Sequence, residues 1–357
     1  MRDNSKAMSV RPIFVLGSPR SGTTMIGNYL GSARSVLNAG EYRGLYLAYA
    51  ALPVQLGAAH RLVGLAPPEW EPFRALYMEE IQRHAAEFIV RVAEGAGYSA
   101  FCDSGPRNVL ICTKLAEIFP DALFVLTLRH YTGTIQSLLR LGTIRLLPAF
   151  EATIDWVDPT AVAAAAVWAR HYQASFNLPN DRTVFFGYDR FCADPEPVLR
   201  RFKADLAAAG FPVEELDDSR FAQSHATAPG QPRATTGRRS GGRARLAAIP
   251  SFDPSAWTPV NELEVHGAVM ATDGLLRSIF PDHYADPVGY RGSEALIAEA
   301  QASTAPSSQA AGEGSRAKSP ASRRRAPAPP QAPAQRRAPQ KVRAADKPVR
   351  GRRATGR

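Results

Sequence analysis

The sequence predicts an α/β fold of three layers, with a parallel sheet between helices and a disordered tail at the carboxyl end. Short apolar runs of strand-forming residues alternate with longer stretches of helical apolar spacing, which indicates parallel strands joined by helices. The first run leads into a glycine-containing loop and then a helix. From residue 301 onward the 357-residue chain contains almost no large apolar residue, so that segment cannot bury a core.

The predicted strands are short, and the predicted helices lie between them. Apolar runs bounded by turn-forming or charged residues predict strands, and apolar side chains at helical spacing predict helices. Helices that connect successive strands in this way cover both faces of a parallel sheet. The strands are expected over residues 11–17, 98–103, 121–129 and 183–188, and the helices over residues 23–32, 73–93, 106–119, 131–141, 159–176 and 194–209.

The positive charge of the chain is concentrated in its tail. The net charge is +10, but 14 lysine and arginine residues stand against two acidic residues from residue 300 on, which leaves residues 1–299 slightly negative. We predict one folded domain over residues 1–295 and a disordered basic tail rich in proline, alanine and arginine over residues 296–357. Such a tail favours an acidic partner, nucleic acid or an acidic membrane surface, and a solubilising extension is the alternative.

Cysteine usage and hydropathy predict a cytoplasmic protein. The chain has three cysteines, an odd number, and no two of them form a CxxC pair. This pattern argues against a disulfide framework and against a zinc site, and it favours buried free thiols. The longest apolar run, residues 161–169, has nine residues, whereas a membrane helix needs roughly 20. No transmembrane segment is therefore expected. The seven histidines show no metal-ligand spacing, so no metal is expected either.

The loop between the first strand and the first helix predicts an anion site. Gly17 and Gly22 have the G-x-x-x-x-G spacing of a nucleotide phosphate loop, in which backbone N–H groups and the helix N-terminus bind phosphate. A nucleoside triphosphatase needs lysine after the second glycine, but Thr23 stands there and Arg20 is the cation. The sequence therefore predicts a phosphate-loop, NTPase-like fold whose site fits a phosphate-bearing ligand but fits magnesium-bound ATP poorly.

This loop resembles that of a known family. Residues 19–24, with the sequence PRSGTT, resemble the 5′-phosphosulfate loop of sulfotransferases that use 3′-phosphoadenosine 5′-phosphosulfate (PAPS). They look closest to the branch that contains tyrosylprotein sulfotransferases and many bacterial enzymes. The resemblance implies that residues 1–295 are a sulfotransferase domain, that PAPS is its cosubstrate and that a hydroxyl accepts the sulfonyl group. It implies that the donor is bound by Arg20, Ser21, Gly22, Thr23 and Thr24.

Three further segments resemble the same family. Arg129 ends the strand at 121–129 and Ser137 follows eight residues later, as in the family's 3′-phosphate site, although residues 130–131 read His-Tyr where the family usually has Asp-Pro. Tyr188 resembles a tyrosine that the family places near the nucleotide. Within the glycine-rich segment 223–245, residues 235–242 resemble a loop that closes over the donor, and a plain surface loop is the alternative. The candidates for 3′-phosphate contacts in this loop are Arg238 and Arg239.

The candidate general base is Glu41. Its segment, Gly-Glu-Tyr-Arg, resembles the one that supplies the catalytic glutamate in tyrosylprotein sulfotransferases, and Arg20 is the second catalytic candidate. Where that branch has a lysine, this chain has Ser104. The missing charge is then supplied by Arg20 alone, or by Arg107 or Lys114. The reserve candidates for the base are His60, His84 and His130.

Two other functions stay open at this point, and so does the acceptor. A kinase acting on a small molecule would need ATP and magnesium, and a PAPS-binding protein with weak catalysis would act through its basic tail. The segments 42–90 and 142–160 are expected to line the acceptor pocket, and they are rich in apolar and aromatic residues. This composition favours a lipid, a glycolipid or an aromatic alcohol, and a peptide is the further alternative.

Overall fold

A parallel sheet of five strands forms the centre of the protein. The structure is a computed structural model, and it describes residues 10–52, 67–141, 144–145, 156–157, 160–221 and 251–304. Within these ranges the strands are β1 (Arg11–Leu16), β2 (Val36–Gly40), β3 (Ala100–Asp103), β4 (Leu123–Leu128), β5 (Ile144–Arg145), β6 (Trp156–Val157) and β7 (Thr183–Gly187). The sheet has the order β2-β3-β1-β4-β7 with all neighbours parallel, and β5 and β6 form a separate antiparallel pair.

Helices connect the strands and pack on both faces of the sheet. The α-helices are α1 (Thr23–Leu30), α2 (Gly44–Tyr46), α3 (Pro67–Gly95), α4 (Cys112–Ile118), α5 (Tyr131–Leu139), α6 (Ala161–Ser175), α7 (Tyr188–Ala193), α8 (Pro195–Ala208), α9 (Pro259–Ile279) and α10 (Ser293–Thr304). A π-helical turn (Leu47–Ala51) extends α2, and a 3₁₀ helix (Pro106–Ile111) precedes α4.

The alternation of side chains along β1 explains the three layers. Ile13 and Val15 point into a core that contains residues of α1 and α8, while Phe14 and Leu16 point into a larger core on the opposite face. All four side chains are buried. Because successive strand residues face opposite sides of a sheet, a run that is apolar at every position needs helices on both faces. The predicted α/β class, the parallel sheet and the three layers are confirmed.

The sequence did not indicate every element. We did not predict β2, because it is an edge strand in which only Val36 is buried and a continuous apolar run is therefore missing. The helix expected from residue 73 begins at Pro67 and contains Pro72. We also did not predict α7, since it starts directly where β7 ends and no turn residues separate the two.

The folded region continues beyond the predicted boundary at residue 295. Helix α10 runs from Ser293 to Thr304, and its Leu296 and Ala300 are buried. A start of the disordered tail at residue 296 is therefore wrong for residues 296–304, because these two side chains, one helical turn apart, give α10 a buried face. Residues 305–357 lie outside the described residues, and their disorder stays a prediction.

Two further observations concern the cysteines and the apolar character of the helices. Cys102, Cys112 and Cys192 are free and buried, as predicted. Within the described ranges, no helix combines the length and the apolar character that crossing a membrane requires.

Candidate active site

The residues singled out from the sequence gather at one edge of the sheet. Because the strands are parallel, the segments that follow β1, β2, β3, β4 and β7 all leave from the same carboxyl edge. These segments begin with Gly17, Glu41, Ser104, Arg129 and Tyr188, respectively. The sheet thereby brings together motifs that are far apart in the chain.

The loop after β1 has an unusual backbone. Gly17, Arg20 and Gly22 have φ angles of 149°, 70° and 99°, and Arg20 is the one non-glycine residue with positive φ within the described part of the chain. A Cβ atom at Gly17 would lie 2.4 Å from Thr127 Oγ1, and one at Gly22 would lie 2.5 Å from Tyr188 Cδ2. Both glycines are therefore required by conformation and by space.

Hydrogen bonds hold the loop against β4 and leave the start of α1 open. The hydroxyls of Ser21 and Thr127 are 2.7 Å apart, and Thr127 Oγ1 donates to Leu16 O at 3.0 Å. No side chain caps the N-terminus of α1, so its first N–H groups remain available to an anion. Of the predicted donor ligands, Thr24 is exposed, whereas Ser21 and Thr23 are buried.

The backbone of Arg129 is fixed by two aromatic side chains of α6. Its N–H donates to Tyr172 Oη at 2.9 Å, and its carbonyl accepts from Trp168 Nε1 at 3.0 Å. Both ring systems are fully buried. The end of β4 is therefore held in one position, and the Arg129 side chain starts from a rigid backbone.

The guanidinium of Arg129 has three contacts, and one of its nitrogens has no hydrogen-bond partner among the described residues. It donates from Nη1 to Arg20 O at 2.5 Å and from Nη2 to Ser251 O, and it lies 4.5 Å from the centre of the Tyr188 ring. Its Nε is buried and has no hydrogen-bond partner among the described residues. One N–H of a buried cation is thus left for a ligand.

Arg20 and Ser137 meet, although 117 residues separate them. Arg20 Nε donates to Ser137 Oγ at 3.0 Å, and the Arg20 side chain is exposed. Ser137 lies two turns into α5, the helix that follows Arg129. The structure therefore joins the predicted 5′ and 3′ donor motifs through a direct contact.

His130 precedes α5 and is a structural residue. Its imidazole Nδ1 accepts from Thr132 N, which satisfies the helix N-terminus in the place where the family has aspartate. Its Nε2 lies 3.2 Å from Arg277 Nη2, and burial together with the charge of Arg277 lowers the pKa of His130 well below its usual value. The hypothesis that His130 is a reserve base is wrong, because the ring is fully buried with both nitrogens engaged.

Of the other two reserve histidines, His84 alone lies among the described residues. His84 is exposed on α3, and its Nε2 lies 3.6 Å from Glu80. His60, together with Arg238 and Arg239, lies outside the described residues, as does most of the segment 142–160.

Glu41 follows the last residue of β2 and is exposed, and its carboxylate lies 3.9 Å from Arg43 Nη2. The peptide on its amino side is attached to the end of β3, since Gly40 O accepts hydrogen bonds from Ser104 N at 2.7 Å and from Ser104 Oγ at 3.2 Å. The backbone N–H of Tyr42, on its carboxyl side, donates to a carboxylate of β3 at 3.2 Å. Glu41 is therefore an accessible side chain on a backbone that is held at both neighbours.

Ser104, which stands in place of the family's lysine, is buried. A Cβ atom at Gly27 would lie 2.5 Å from Ser104 Cβ, so the serine side chain faces α1. The space on this side is occupied by the helix backbone. The position therefore supplies no charge and leaves little room for a longer side chain.

Two cations were candidates to replace the lysine charge together with Arg20. Lys114 is paired with Glu117 on α4, with 2.6 Å between nitrogen and oxygen. Arg107 follows β3 by four residues, and its guanidinium lies 5.8 Å from the centre of the Tyr46 ring. Lys114 thus has an acidic neighbour, and Arg20, Arg107 and Lys114 all stay candidates for this charge.

Asp103 is a buried carboxylate that the sequence patterns did not assign to the site. It ends β3 and accepts hydrogen bonds from Tyr42 N, from Gly105 N at 2.9 Å and from Asn108 Nδ2 at 2.7 Å. Burial is the main cause that raises the pKa of Asp103 to about 7; the charge of Glu41 acts in the same direction and the three hydrogen bonds oppose it. An acidic residue at the end of a predicted buried strand was the available signal.

A model of the sulfotransferase family matches residues 12–208, which is more than half of the chain. The chain belongs to the sulfotransferase family. The matched range contains Glu41, the phosphate loop, Arg129, Ser137 and Tyr188.

Individual relatives are distant. An uncharacterized protein of Aquifex aeolicus is 34% identical over 116 residues, and the match spans 32% of this chain but only 15% of that relative's length. The sulfotransferase domain of the Synechococcus PCC 7002 olefin synthase is 17% identical, with 75% of this chain and 98% of that domain covered and a TM-score of 0.39. The sulfotransferase STF9 from Mycobacterium avium is 18% identical over 63% of this chain and 70% of that one, with a TM-score of 0.35.

Among the described residues, no group of three or more His, Cys, Asp or Glu side chains is arranged to hold a metal ion.

Proposed function

We propose that this sulfotransferase moves the sulfonyl group of PAPS onto an acceptor hydroxyl, with Glu41 as the general base. The main observation in support is that hydrogen bonds connect Arg129, Arg20 and Ser137. Arg129 holds the carbonyl of Arg20, and Arg20 in turn donates to Ser137. PAPS carries anionic groups at its 5′ and 3′ ends, and this arrangement provides cations and donors for both.

The residues present fit a donor that is charged at both ends. The uncapped N-terminus of α1, Arg20 and Thr24 would bind the 5′-phosphosulfate, and Ser21, Gly22 and Thr23 form the backbone of that loop. Arg129 and Ser137 would bind the 3′-phosphate. The buried Nε of Arg129 supports this assignment, because it is a donor without an acceptor among the described residues.

The nucleotide would lie beside Tyr188. Its ring lies against Gly22 and within 4.5 Å of the Arg129 guanidinium, so it borders both proposed anion sites. An aromatic ring at this place suits a flat nucleobase or its sugar. Arg238 and Arg239 remain candidates for closing over the donor.

The chemistry requires a base on one side of the sulfur and a cation on the other. The acceptor oxygen forms a bond to sulfur, its proton passes to the Glu41 carboxylate, and the bridging S–O bond breaks in line. The electron pair of that bond stays on the leaving 3′-phosphoadenosine 5′-phosphate (PAP). Arg20 would stabilise this charge, with Arg107 as the second cation.

The position of Glu41 suits this role. Strand β3 separates β2 from β1 in the sheet, so Glu41 and the phosphate loop leave the edge two strands apart. At the usual strand spacing this is about 10 Å, which leaves room for a sulfonyl group and an acceptor hydroxyl between them. The half-buried ring of Tyr42, the residue after Glu41, lies 6.4 Å from the exposed ring of Phe88 on α3, and both rings would face an aromatic or apolar acceptor.

One observation favours a second candidate function. Because Ser104 is buried against α1 and cannot supply the charge of the family's lysine, a PAPS-binding protein with weak catalysis remains the alternative. A kinase is not favoured, since Thr23 rather than lysine follows Gly22.

Release of PAP separates the two functions. The full chain is incubated with PAPS and a panel of phenols, hydroxylated lipids, glycolipids and tyrosine peptides, and PAP is quantified. Turnover with one acceptor class that is lost in Glu41→Gln supports the proposal. Binding of PAPS without turnover across the panel supports the binding protein.

A further inference from the structure

We infer that Asp103 is a positioning residue that holds Glu41 in place for proton transfer. The inference rests on the proposed function, because it takes Glu41 as the base. It concerns a carboxylate that neither the loop motif nor the 3′-phosphate motif contains. Asp103 itself does not touch the reacting atoms.

Asp103 and Ser104 hold the two neighbours of Glu41. Ser104 N and Oγ both donate to Gly40 O, at 2.7 Å and 3.2 Å. Asp103 Oδ1 accepts from Tyr42 N at 3.2 Å. The peptide groups on either side of Glu41 are thereby attached to the end of β3. Because the Glu41 side chain is exposed and its ion pair with the next arginine is 3.9 Å long, its position depends mainly on this backbone attachment.

The same carboxylate also orders the segment after β3. Gly105 N donates to Oδ1 at 2.9 Å, and Asn108 Nδ2 donates to Oδ2 at 2.7 Å. Arg107, the second candidate cation, lies between these two residues. One buried group thus connects the segment that carries the base with the segment that carries a cation, so their spacing is set by Asp103.

The charge of Asp103 is costly at this buried position. Asp103 is fully buried, and within the described residues no salt bridge includes it. A buried carboxylate without a counter-ion is costly unless its hydrogen bonds require it. All three of its partners are N–H donors, so the ionised form satisfies them, whereas a protonated oxygen would face a donor. Costly carboxylates of this kind concentrate at functional sites.

The test compares Asp103→Asn with the exchanged pair Asp103→Asn and Asn108→Asp. In the single variant, Tyr42 N and Gly105 N keep a carbonyl oxygen but lose the charged acceptor, and the new NH₂ group faces Asn108, whose amide must turn over to accept from it. In the exchanged pair that NH₂ group can donate to the carboxylate introduced at position 108, which restores the contacts. Asp181→Asn, which alters an exposed aspartate at the opposite edge of the sheet, is the matched control.

Two measurements on the full chain decide the inference. We expect Asp103→Asn to lower kcat at least tenfold with KM for PAPS within about twofold, and the exchanged pair to recover most of that loss. Hydrogen exchange of residues 40–45 should accelerate in Asp103→Asn and return toward the unmodified rate in the exchanged pair. Asp181→Asn should change neither quantity.

The outcomes separate the inference from the proposed function. Absence of PAPS turnover in the unmodified chain overturns the proposed function. Unchanged hydrogen exchange at residues 40–45 in Asp103→Asn overturns the positioning role whatever the activity. Faster exchange with unchanged kcat overturns it too, because the attachment would then be irrelevant to catalysis.

Discussion

Arg129 Nη1 donates a hydrogen bond to the carbonyl oxygen of Arg20, a residue 109 positions earlier whose backbone is left-handed. The left-handed conformation costs roughly 1–2 kcal/mol for a residue with a side chain. The contact offsets that cost by fixing the carbonyl, and it leaves the Arg20 side chain free to reach Ser137. The conformation of the phosphate loop therefore depends on the residue that follows β4.

The backbone strain at Arg20 predicts that stability and binding respond differently to substitution. Arg20→Gly removes the side-chain penalty, whereas Arg20→Ala keeps it. We expect the free energy of unfolding of Arg20→Gly to exceed that of Arg20→Ala by about 0.5–1.5 kcal/mol, measured by urea unfolding. Both variants should bind PAP at least tenfold more weakly. Equal stabilities would show that the left-handed conformation is not strained.

Gly133 on α5 is expected to be essential for the Arg129 site. A Cβ atom there would lie 2.7 Å from Ser251 O and 3.1 Å from Arg129 Nη2. Gly133→Ala should therefore weaken PAP binding at least tenfold, although alanine is the better helix former. The control is Gly267→Ala on α9, where a Cβ atom meets nothing within 4 Å. That change should raise stability by about 0.5–1 kcal/mol and leave PAP binding unaltered. Tight PAP binding by Gly133→Ala would contradict the geometry.

Glu41→Gln should separate catalysis from donor binding. Loss of a general base lowers rates by about 10²–10⁴. Glu41 lies two strands from the phosphate loop, so the affinity for PAP should stay within about twofold. Steady-state kinetics and calorimetry measure the two quantities, and Glu117→Gln, which alters an exposed glutamate on α4, is the control. Full activity of Glu41→Gln would remove Glu41 from the mechanism.

The burial of Asp103 predicts a pH dependence of stability. Its pKa is raised to about 7, above the value of roughly 3.9 in an unfolded chain, so the folded state binds more protons between these values. Stability therefore falls as pH rises from about 4 to about 7. Since the Asp103→Asn variant has no titrating group at this position, its stability relative to the unmodified chain should improve over this range in urea unfolding. The difference in unfolding free energy between Gly267→Ala and the unmodified chain should stay constant over this pH range. A constant difference for Asp103→Asn would contradict the assigned burial.

The sequence predicted the sheet centre and the donor motifs because both depend on local patterns. The strand over residues 11–17 is apolar at nearly every position, and the spacing of Gly17 and Gly22 specifies a phosphate loop. The order of β1 and β4 in the sheet then brings Arg129 next to Arg20. Strand β2 was not predicted, since an edge strand with one buried residue has no distinct pattern.

Residues that act through tertiary contacts could not be assigned from the sequence. Asp103 is one acid among many until its contact with Tyr42 is known. Likewise, His130 is a candidate base in the sequence, and only its contacts with α5 and with the arginine of α9 show it to be a buried helix cap. The contribution of Ser251, which accepts from Arg129 across 122 residues, has no sequence signal either.

The most direct test is calorimetric titration of the full chain with PAP, with ATP plus magnesium as the competing ligand and Arg129→Ala as the variant. We expect micromolar or tighter binding of PAP, no comparable binding of ATP, and at least a tenfold loss in Arg129→Ala, since a charge-assisted hydrogen bond contributes about 1.5–3 kcal/mol. Arg34→Ala, which alters an exposed arginine before β2, should bind PAP normally. Preference for ATP, or PAP binding that does not depend on Arg129, would contradict the proposed donor site.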